Sequence, residues 1–188
     1  THAHEDHLGA VPYLWRKIRC PIYATPFACG LLRRKLEDSG LLSEIDLIEV
    51  PVGGGMDAGP FRVDFIPAAH SVPEANILVI RTDVGNIVHA TDWKLDPAPL
   101  VGPPTDGDAL RAVGDEGVLA LVCDSTNVFV DGEAGSEGVL RESLIEIIGK
   151  RKGRVAVASF ASNVARIATI NRAAAETGRN PTLVGRSL

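Results

Sequence analysis

The chain has 188 residues, of which 45% are hydrophobic, and it carries a formal net charge of −5. This size is enough to bury a core and predicts one domain, or one domain and part of another. No apolar run approaches the roughly 20 residues of a membrane span, and no charged segment followed by an apolar one suggests export, so we expect a cytoplasmic location and no membrane partner.

The charge is distributed unevenly along the chain. Residues 1–140 contain 10 Lys and Arg against 21 Asp and Glu, a net −11, whereas residues 141–188 contain 9 against 3, a net +6. An acidic first part suits a cation site, and the basic run at residues 150–154 suits a polyanion. The same run is also typical of an exposed helix end, where basic residues are favoured.

The first part of the chain is predicted to contain two helices, a strand and a β-hairpin. Apolar residues recur at helical spacing over 8–18 and 26–40, and Gly40 closes the second helix. Residues 61–70 alternate as a half-buried strand, and two further β segments, at 76–82 and 86–92, are joined across Asp83-Val84-Gly85 as a hairpin.

The second part alternates strands and helices. A loop rich in Pro and Gly covers 97–108, and the continuous apolar runs at 117–124 and 154–160 predict strands buried on both faces. Helices are predicted at 137–150, capped by Ser136, and at 164–178, opened by Ser162 or Asn163. The whole pattern is that of an α/β protein.

The opening heptapeptide THAHEDH concentrates three of the five histidines with two carboxylates. His2 and His4 are two residues apart on an extended segment and point the same way, while Asp6 and His7 follow as the chain turns into a helix. This arrangement predicts ligands for two adjacent metal ions. Imidazole and carboxylate without thiolate favour zinc, with manganese or iron as alternatives, and a hydrolytic site over a structural one.

Two more candidate ligands lie where strands run into loops. His70 ends the strand in PAAHSVP, and Asp92 ends the second strand of the hairpin in HATDWKLD. A lone histidine is more often a hydrogen-bonded polar residue than a ligand, but the combined pattern indicates a metal site. His89, in mid-strand, is interpreted as a packed or supporting residue. The three cysteines lack C-x-x-C spacing and are interpreted as reduced core thiols.

These residues resemble the metallo-β-lactamase superfamily, whose H-x-H-x-D-H motif and later His and Asp are matched by His2, His4, Asp6, His7, His70 and Asp92. The stretches HSVPEAN, HATDWKLDP, CDSTN and SFASNVARI are similar to the ribonuclease J family of the β-CASP branch. The resemblance covers nearly the whole chain. It implies a partial αββα metallo-β-lactamase sandwich over 1–135 that runs into the start of a β-CASP α/β domain over 136–188.

The resemblance also implies a ligand set and a reaction. The first zinc ion would be held by His2, His4 and His70. The second would be held by Asp6 and His7, and the carboxylate of Asp92 would bridge the two ions. Two Zn²⁺ ions, or Mn²⁺ as an alternative, would activate a hydroxide that attacks an RNA phosphodiester in line. Asp6 and Asp92 are the expected catalytic residues, and Asp6 would orient or deprotonate the water.

The implied partner is RNA, 5′-monophosphorylated, cut by 5′-to-3′ exonuclease action and in some cases by endonuclease action. Ser162 and Asn163 open a helix whose free N–H groups accept an anion, and Ser136 is a weaker candidate for the same role. An ordinary helix cap is an equal alternative for Ser162. Asp124 is interpreted as a support for the metal ligands, or as a strand-end carboxylate that binds loop amides.

Two departures from the family pattern are visible. Ala165 stands where the family usually has a histidine, which weakens any RNA or catalytic role at that position. The family pattern continues beyond Arg186 and Ser187, so we expect the chain to be an internal piece of a longer protein, or a partial record of one. The full-length protein is expected to be a homo-oligomer.

Two other functions stay open. The first is a metal-dependent hydrolase of a small ester, thioester or lactam, against which the basic second part and the FASNV stretch argue. The second is a non-catalytic β-CASP scaffold. Such proteins usually lose metal ligands, whereas all six that this chain can supply are present.

Overall fold

The structure is a computed structural model that describes residues 1–185, so the predicted match at Arg186 and Ser187 lies outside the described residues. The helices are α1 (Glu5–Leu8), α2 (Val11–Ile18), α3 (Pro26–Asp38), α4 (Gly107–Glu116), α5 (Glu137–Gly149) and α6 (Val164–Glu176). The strands are β1 (Ile22–Ala24), β2 (Leu47–Glu49), β3 (Gly55–Ala58), β4 (Phe61–Pro67), β5 (Asn76–Thr82), β6 (Gly85–Ala90) and β7 (Val118–Cys123).

A five-stranded sheet in the order β3-β4-β5-β6-β7 forms the centre of the fold. β3 to β6 are antiparallel neighbours, and Thr82 pairs with Gly85, which confirms the predicted hairpin. β7 pairs with β6 in parallel after the crossover through α4, so the sheet is mixed. β4, β6 and β7 therefore run in one direction and end at the same edge of the sheet.

The largest core lies between the sheet and α4. Buried side chains from β4, β5 and β6 meet α4 in one cluster, which contains Ile66, Ala68, Ile77, Val79, Val88, Ala90 and Val113. α4 starts at Asp106, whose carboxylate accepts a hydrogen bond from the Ala109 amide at 2.9 Å. The sequence patterns predicted only a loop before this segment and missed the helix.

The helices of the first part pack on a separate small sheet. β1 and β2 pair in parallel over three residues each, too short for the alternation by which strands are recognised in a sequence. Trp15 of α2 and Leu36 of α3 form a buried cluster with Leu41 and Ile45 in the loop beyond. Both predicted helices are confirmed, and Gly40, with φ of +69°, ends the second one.

Two predictions of a buried strand are wrong: the strand at 117–124 forms but is exposed, and the strand at 154–160 does not form. All six residues of β7 are exposed, because no element in the described part of the chain covers either face of this strand, which is also an edge strand that pairs with β6 alone. Residues 154–160 form no strand, since no described segment offers them a hydrogen-bonded neighbour. A continuous apolar run is typical of a strand that other elements cover on both faces. Residues 1–185 contain no element that covers these two segments in this way.

The two C-terminal helices pack as a pair, and both are confirmed. Glu137 at the start of α5 accepts two hydrogen bonds from Arg166 of α6, at 3.1 Å from Nε and 2.9 Å from Nη2. This bidentate geometry gives the ion pair both strength and a fixed orientation. Among the described residues, no helix is long and apolar enough to cross a membrane.

Leu36→Ala should destabilise the intact protein by about 2–5 kcal/mol, because Leu36 is fully buried and its removal leaves a cavity beside Trp15. The matched control is Leu14→Ala on α2, where the side chain is 51% exposed and the expected change is within about 0.5 kcal/mol. Urea unfolding followed by tryptophan fluorescence measures both. Equal shifts of the midpoint would contradict the assigned core.

Candidate metal centre

The sheet brings distant candidate ligands to one edge. His70 lies three residues beyond the end of β4 and Asp92 two residues beyond the end of β6, and these strands run in the same direction. An isolated β-bridge between Ala69 and Lys94 holds the two following loops side by side. The parallel direction of β4 and β6 is thus what places His70 next to Asp92.

The start of the chain is fixed to the same edge. The Asn76 amide, at the first residue of β5, donates to the carbonyl of Thr1 at 3.1 Å. His2 is 3% exposed, and His4 precedes the short helix α1, whose turn carries Asp6 and His7. The structure therefore brings together all six predicted metal-binding side chains, although they span 91 positions of the sequence.

The first ligand group consists of three ring nitrogens and one carboxylate oxygen. His4 Nδ1 lies 3.0 Å from His2 Nε2 and 3.1 Å from His70 Nε2. The Oδ2 atom of Asp92 lies 3.6 Å from His2 Nε2 and 3.5 Å from His70 Nε2. A tetrahedral ion with ligand bonds of about 2.0–2.1 Å separates its ligand atoms by about 3.3–3.4 Å. The spacing of the four ligand atoms therefore fits a zinc-sized ion.

The second group uses the other oxygen of Asp92. Oδ1 of Asp92 lies 3.5 Å from His7 Nε2, which in turn lies 3.4 Å from Asp6 Oδ2. The ligand atoms of this group lie within 4.8 Å of one another, as do those of the first. Because each oxygen of Asp92 faces a different group, the geometry fits a carboxylate that bridges two cations.

The electrostatic environment keeps the ring nitrogens available to a cation. Burial, with the neighbouring His7, His70 and His4 rings, lowers the pKa of His2 to about 2. Burial and the nearby His4 ring also lower the pKa of His70. Neutral imidazoles have the free lone pair that metal binding requires, so these rings are prepared for a cation at physiological pH.

The hydroxyl of Thr1 lies on the side of the His2 and His7 rings that faces away from the other candidate ligands. Thr1 Oγ1 lies 3.4 Å from His2 Nδ1 and 3.3 Å from His7 Nδ1. In both rings Nε2 is the atom that faces the candidate ligands. A polar partner on the far nitrogen fixes the direction of a ligand histidine.

The candidate RNA-binding residues lie at the starts of α5 and α6. Asn163 caps α6, since its Oδ1 accepts from the Arg166 amide at 2.8 Å, and Ser162 beside it is exposed. The next two amides are also occupied: Val164 donates to the Ser162 carbonyl and Ala165 donates to the Ser71 carbonyl. The backbone amides that the sequence offered to a phosphate therefore have partners, and the side chain of the exposed residue Ser162 is the group that can still meet a phosphate.

Ser136 and Asp124 make local hydrogen bonds. Ser136 caps α5 by accepting from the Gly138 amide at 3.2 Å, and its hydroxyl also donates to the Ala98 carbonyl at 3.3 Å. Asp124, one residue beyond β7, accepts from the amide and hydroxyl of Thr126 at 2.9 and 2.6 Å. These bonds lower the pKa of Asp124, and its charge acts on His70 without a direct bond.

His89 lies apart from the ligand groups, at the fifth of the six residues of β6, where it pairs with Leu78 and with Val122. Its exclusion from the predicted ligands agrees with this position. Ser71 is a polar residue that the sequence analysis did not select, although its hydroxyl lies 3.2 Å from His4 Nε2. The sequence signals for it were its position directly after His70 and its place in the stretch HSVPEAN.

Two family models match the chain. One, described as the metallo-beta-lactamase superfamily, matches residues 1–157, and the other, described as the beta-CASP domain of Ribonuclease J, matches residues 152–188. These matches confirm the predicted fold class, a metallo-β-lactamase domain followed by the start of a β-CASP domain. The division after residue 135 stays a prediction.

Curated relatives share this similarity over the whole chain. It is 46% identical to a protein named Ribonuclease J from Sinorhizobium meliloti and 41% identical to Ribonuclease J 1 from Streptococcus pyogenes, and it covers 33% of each. The chain thus spans about a third of the length of these relatives. A solved structure of a protein of unknown function from Enterococcus faecalis V583 matches 81% of this chain and 39% of its own, with a TM-score of 0.60 and 17% identity, which supports the fold alone.

His70→Ala should reduce the zinc bound by the intact protein, because it removes a ring nitrogen from the first group. The loss of affinity should exceed the ~10–100-fold that removal of an outer partner costs. His89→Ala is the matched control, a histidine on the same sheet outside both groups. Elemental analysis after equilibration at fixed free zinc measures both variants, and the same zinc content in the two would contradict the assigned ligands.

Proposed function

The chain belongs to the metallo-β-lactamase superfamily, and from this we propose that it forms the metal-binding part of a ribonuclease that hydrolyses RNA phosphodiester bonds. The observation that carries the proposal is the convergence of six side chains in two groups that share Asp92. This donor set suits two divalent cations, and we infer zinc, with manganese as the alternative.

The proposed ligands divide by geometry. His2, His4 and His70 would hold the first cation, Asp6 and His7 would hold the second, and Asp92 would contribute one oxygen to each. Bound cations would supply an acidified water and positive charge to balance the phosphodiester in the transition state. The candidate catalytic residues are the two carboxylates of this set, Asp6 and Asp92. Asp92 would connect the two ligand groups through its two oxygens.

Asp6 is the carboxylate open to incoming substrate. Its side chain is 75% exposed, against 30% for that of Asp92, while its Oδ2 remains close to His7. An exposed carboxylate beside the cation site can orient a water molecule and accept its proton. We assign this role to Asp6.

RNA as the substrate is supported by the relatives and by charge. The chain is similar over its whole length to proteins named Ribonuclease J. Its second part carries the +6 net charge, and the basic run at residues 150–154 is exposed, although Lys150 also pairs with Glu146. We propose that the Ser162 hydroxyl contacts a phosphate next to the metal site, and that Asn163 and Ser136 shape this surface by capping their helices.

The finer assignments follow from the same resemblance. We propose 5′-to-3′ exonuclease action, with endonuclease action as a second mode, on 5′-monophosphorylated RNA in the cytoplasm, by a full-length protein that forms a homo-oligomer. We also propose that Asp124 supports the metal site through its charge, and that the metallo-β-lactamase part ends near residue 135.

Asp6→Asn in the intact protein should lower the rate of RNA cleavage by about 100-fold or more, because an amide cannot accept the proton from water. The matched control is Asp38→Asn, an exposed aspartate at the end of α3, which should keep the wild-type rate. Cleavage is measured on two end-labelled RNAs of the same sequence, one with a 5′-monophosphate and one with a 5′-triphosphate.

Three outcomes would count against the proposal. Unchanged cleavage in Asp6→Asn would remove the catalytic role of Asp6. Hydrolysis of a thioester but not of RNA would favour a small-molecule hydrolase, and equal rates on the two RNA ends would remove the preference for a monophosphate.

A further inference from the structure

The imidazole of His4 lies between the ligand groups and two oxygen atoms on its other side. Its Nδ1 faces His2 and His70, as described above. Its Nε2 lies 3.2 Å from the hydroxyl oxygen of Ser71 and 3.3 Å from the carbonyl oxygen of Ser162. Both nitrogens of this ring therefore have polar neighbours: ring nitrogens of other histidines on the Nδ1 side and two oxygen atoms on the Nε2 side.

The carbonyl of Ser162 decides which nitrogen carries the proton. A carbonyl oxygen can only accept a hydrogen bond, so Nε2 of His4 must be the N–H donor, shared between this carbonyl and the Ser71 hydroxyl. The tautomer that results has its free lone pair on Nδ1, the atom that faces the ligand group. An outer hydrogen bond of this kind fixes both the tautomer and the orientation of a ligand histidine.

The backbones of the two residues that carry these acceptors are held by the first turn of α6. The Ala165 amide donates to the Ser71 carbonyl at 3.0 Å, and the Val164 amide donates to the Ser162 carbonyl at 3.1 Å. Ala165 is 1% exposed, so this contact is shielded from water. The position at which the family usually has a histidine thus acts through its backbone, which the change to alanine leaves intact.

We propose that Ser71 is a positioning residue for the candidate metal centre. Its hydroxyl and the Ser162 carbonyl hold His4 with Nδ1 towards the cation, and the first turn of α6 keeps both acceptors in place. The segment that matches the β-CASP model thereby contributes to metal affinity without providing a ligand. This inference rests on the metal centre of the proposed function and adds a residue that is not among its proposed ligands.

Cobalt binding to the intact protein tests this role independently of RNA cleavage. Ser71→Ala should weaken Co²⁺ binding about 10–100-fold in competition with a chelator, and it should shift the visible absorption bands that report ligand geometry. Ser71→Thr keeps the hydroxyl and should restore both the affinity and the spectrum. Ser143→Ala is the matched control, since Ser143 is exposed on α5 and its hydroxyl donates to the Val139 carbonyl of the same helix.

A second pair keeps the test decisive if Ser71→Ala does not fold. Ser71→Thr and Ser71→Val have nearly the same shape and differ in the hydroxyl, so only the threonine variant should bind cobalt as the wild type does. Equal cobalt affinity and equal spectra for Ser71→Ala and Ser71→Thr, or for Ser71→Val and Ser71→Thr, would overturn the role of Ser71. Either result would leave the proposed function standing. A wild-type protein that binds neither cobalt nor zinc would overturn both.

Discussion

The carboxylate of Asp92 is the point on which the candidate site depends, because each of its oxygens faces a different ligand group. It can do so only at the end of β6, whose neighbours set its position. β4 and β6 run in the same direction with β5 between them, so His70 and Asp92 leave the sheet at one edge. The Asn76 amide, at the start of β5, binds the first residue of the chain at that edge. Sheet topology, more than any local motif, creates the site.

The same edge is also where the starts of α5 and α6 meet the rest of the molecule, and of these two helices α6 lies in the segment matched by the β-CASP model. Nζ of Lys94, two residues after Asp92, donates to the carbonyl of Gly135 just before α5. The ring of His4 meets the carbonyl of Ser162 just before α6, and the Glu137–Arg166 ion pair joins the two helices. A displacement of either helix start would therefore be felt by the ligand loops. This connection gives a physical reason why the two helix starts and the candidate metal site would act as one unit.

Local patterns predicted the elements that local interactions determine. The hairpin of β5 and β6 follows from alternation on both sides of Asp83-Val84-Gly85, and α3 follows from its helical period and Gly40. β1 and β2 are too short to show a period, and α4 follows a loop rich in Pro and Gly that obscures its start. The runs at 117–124 and 154–160 have the composition of buried strands. The first is an exposed edge strand and the second has no strand partner among the described residues, since burial and pairing require surfaces that composition cannot supply.

The sequence by itself determined which groups are available: imidazoles and carboxylates in H-x-H-x-D-H, with one more of each at a strand end. These residue types restrict the chemistry to hard or borderline cations, wherever the chain places them. Only the tertiary structure decided that the six side chains meet, that Asp92 divides its oxygens between two groups, and that Ser71 and Ser162 lie behind His4. It also decided that the first amides of α6 have internal partners. Such facts depend on distances between segments far apart in the chain, and strand direction and packing, which no short motif encodes, set those distances.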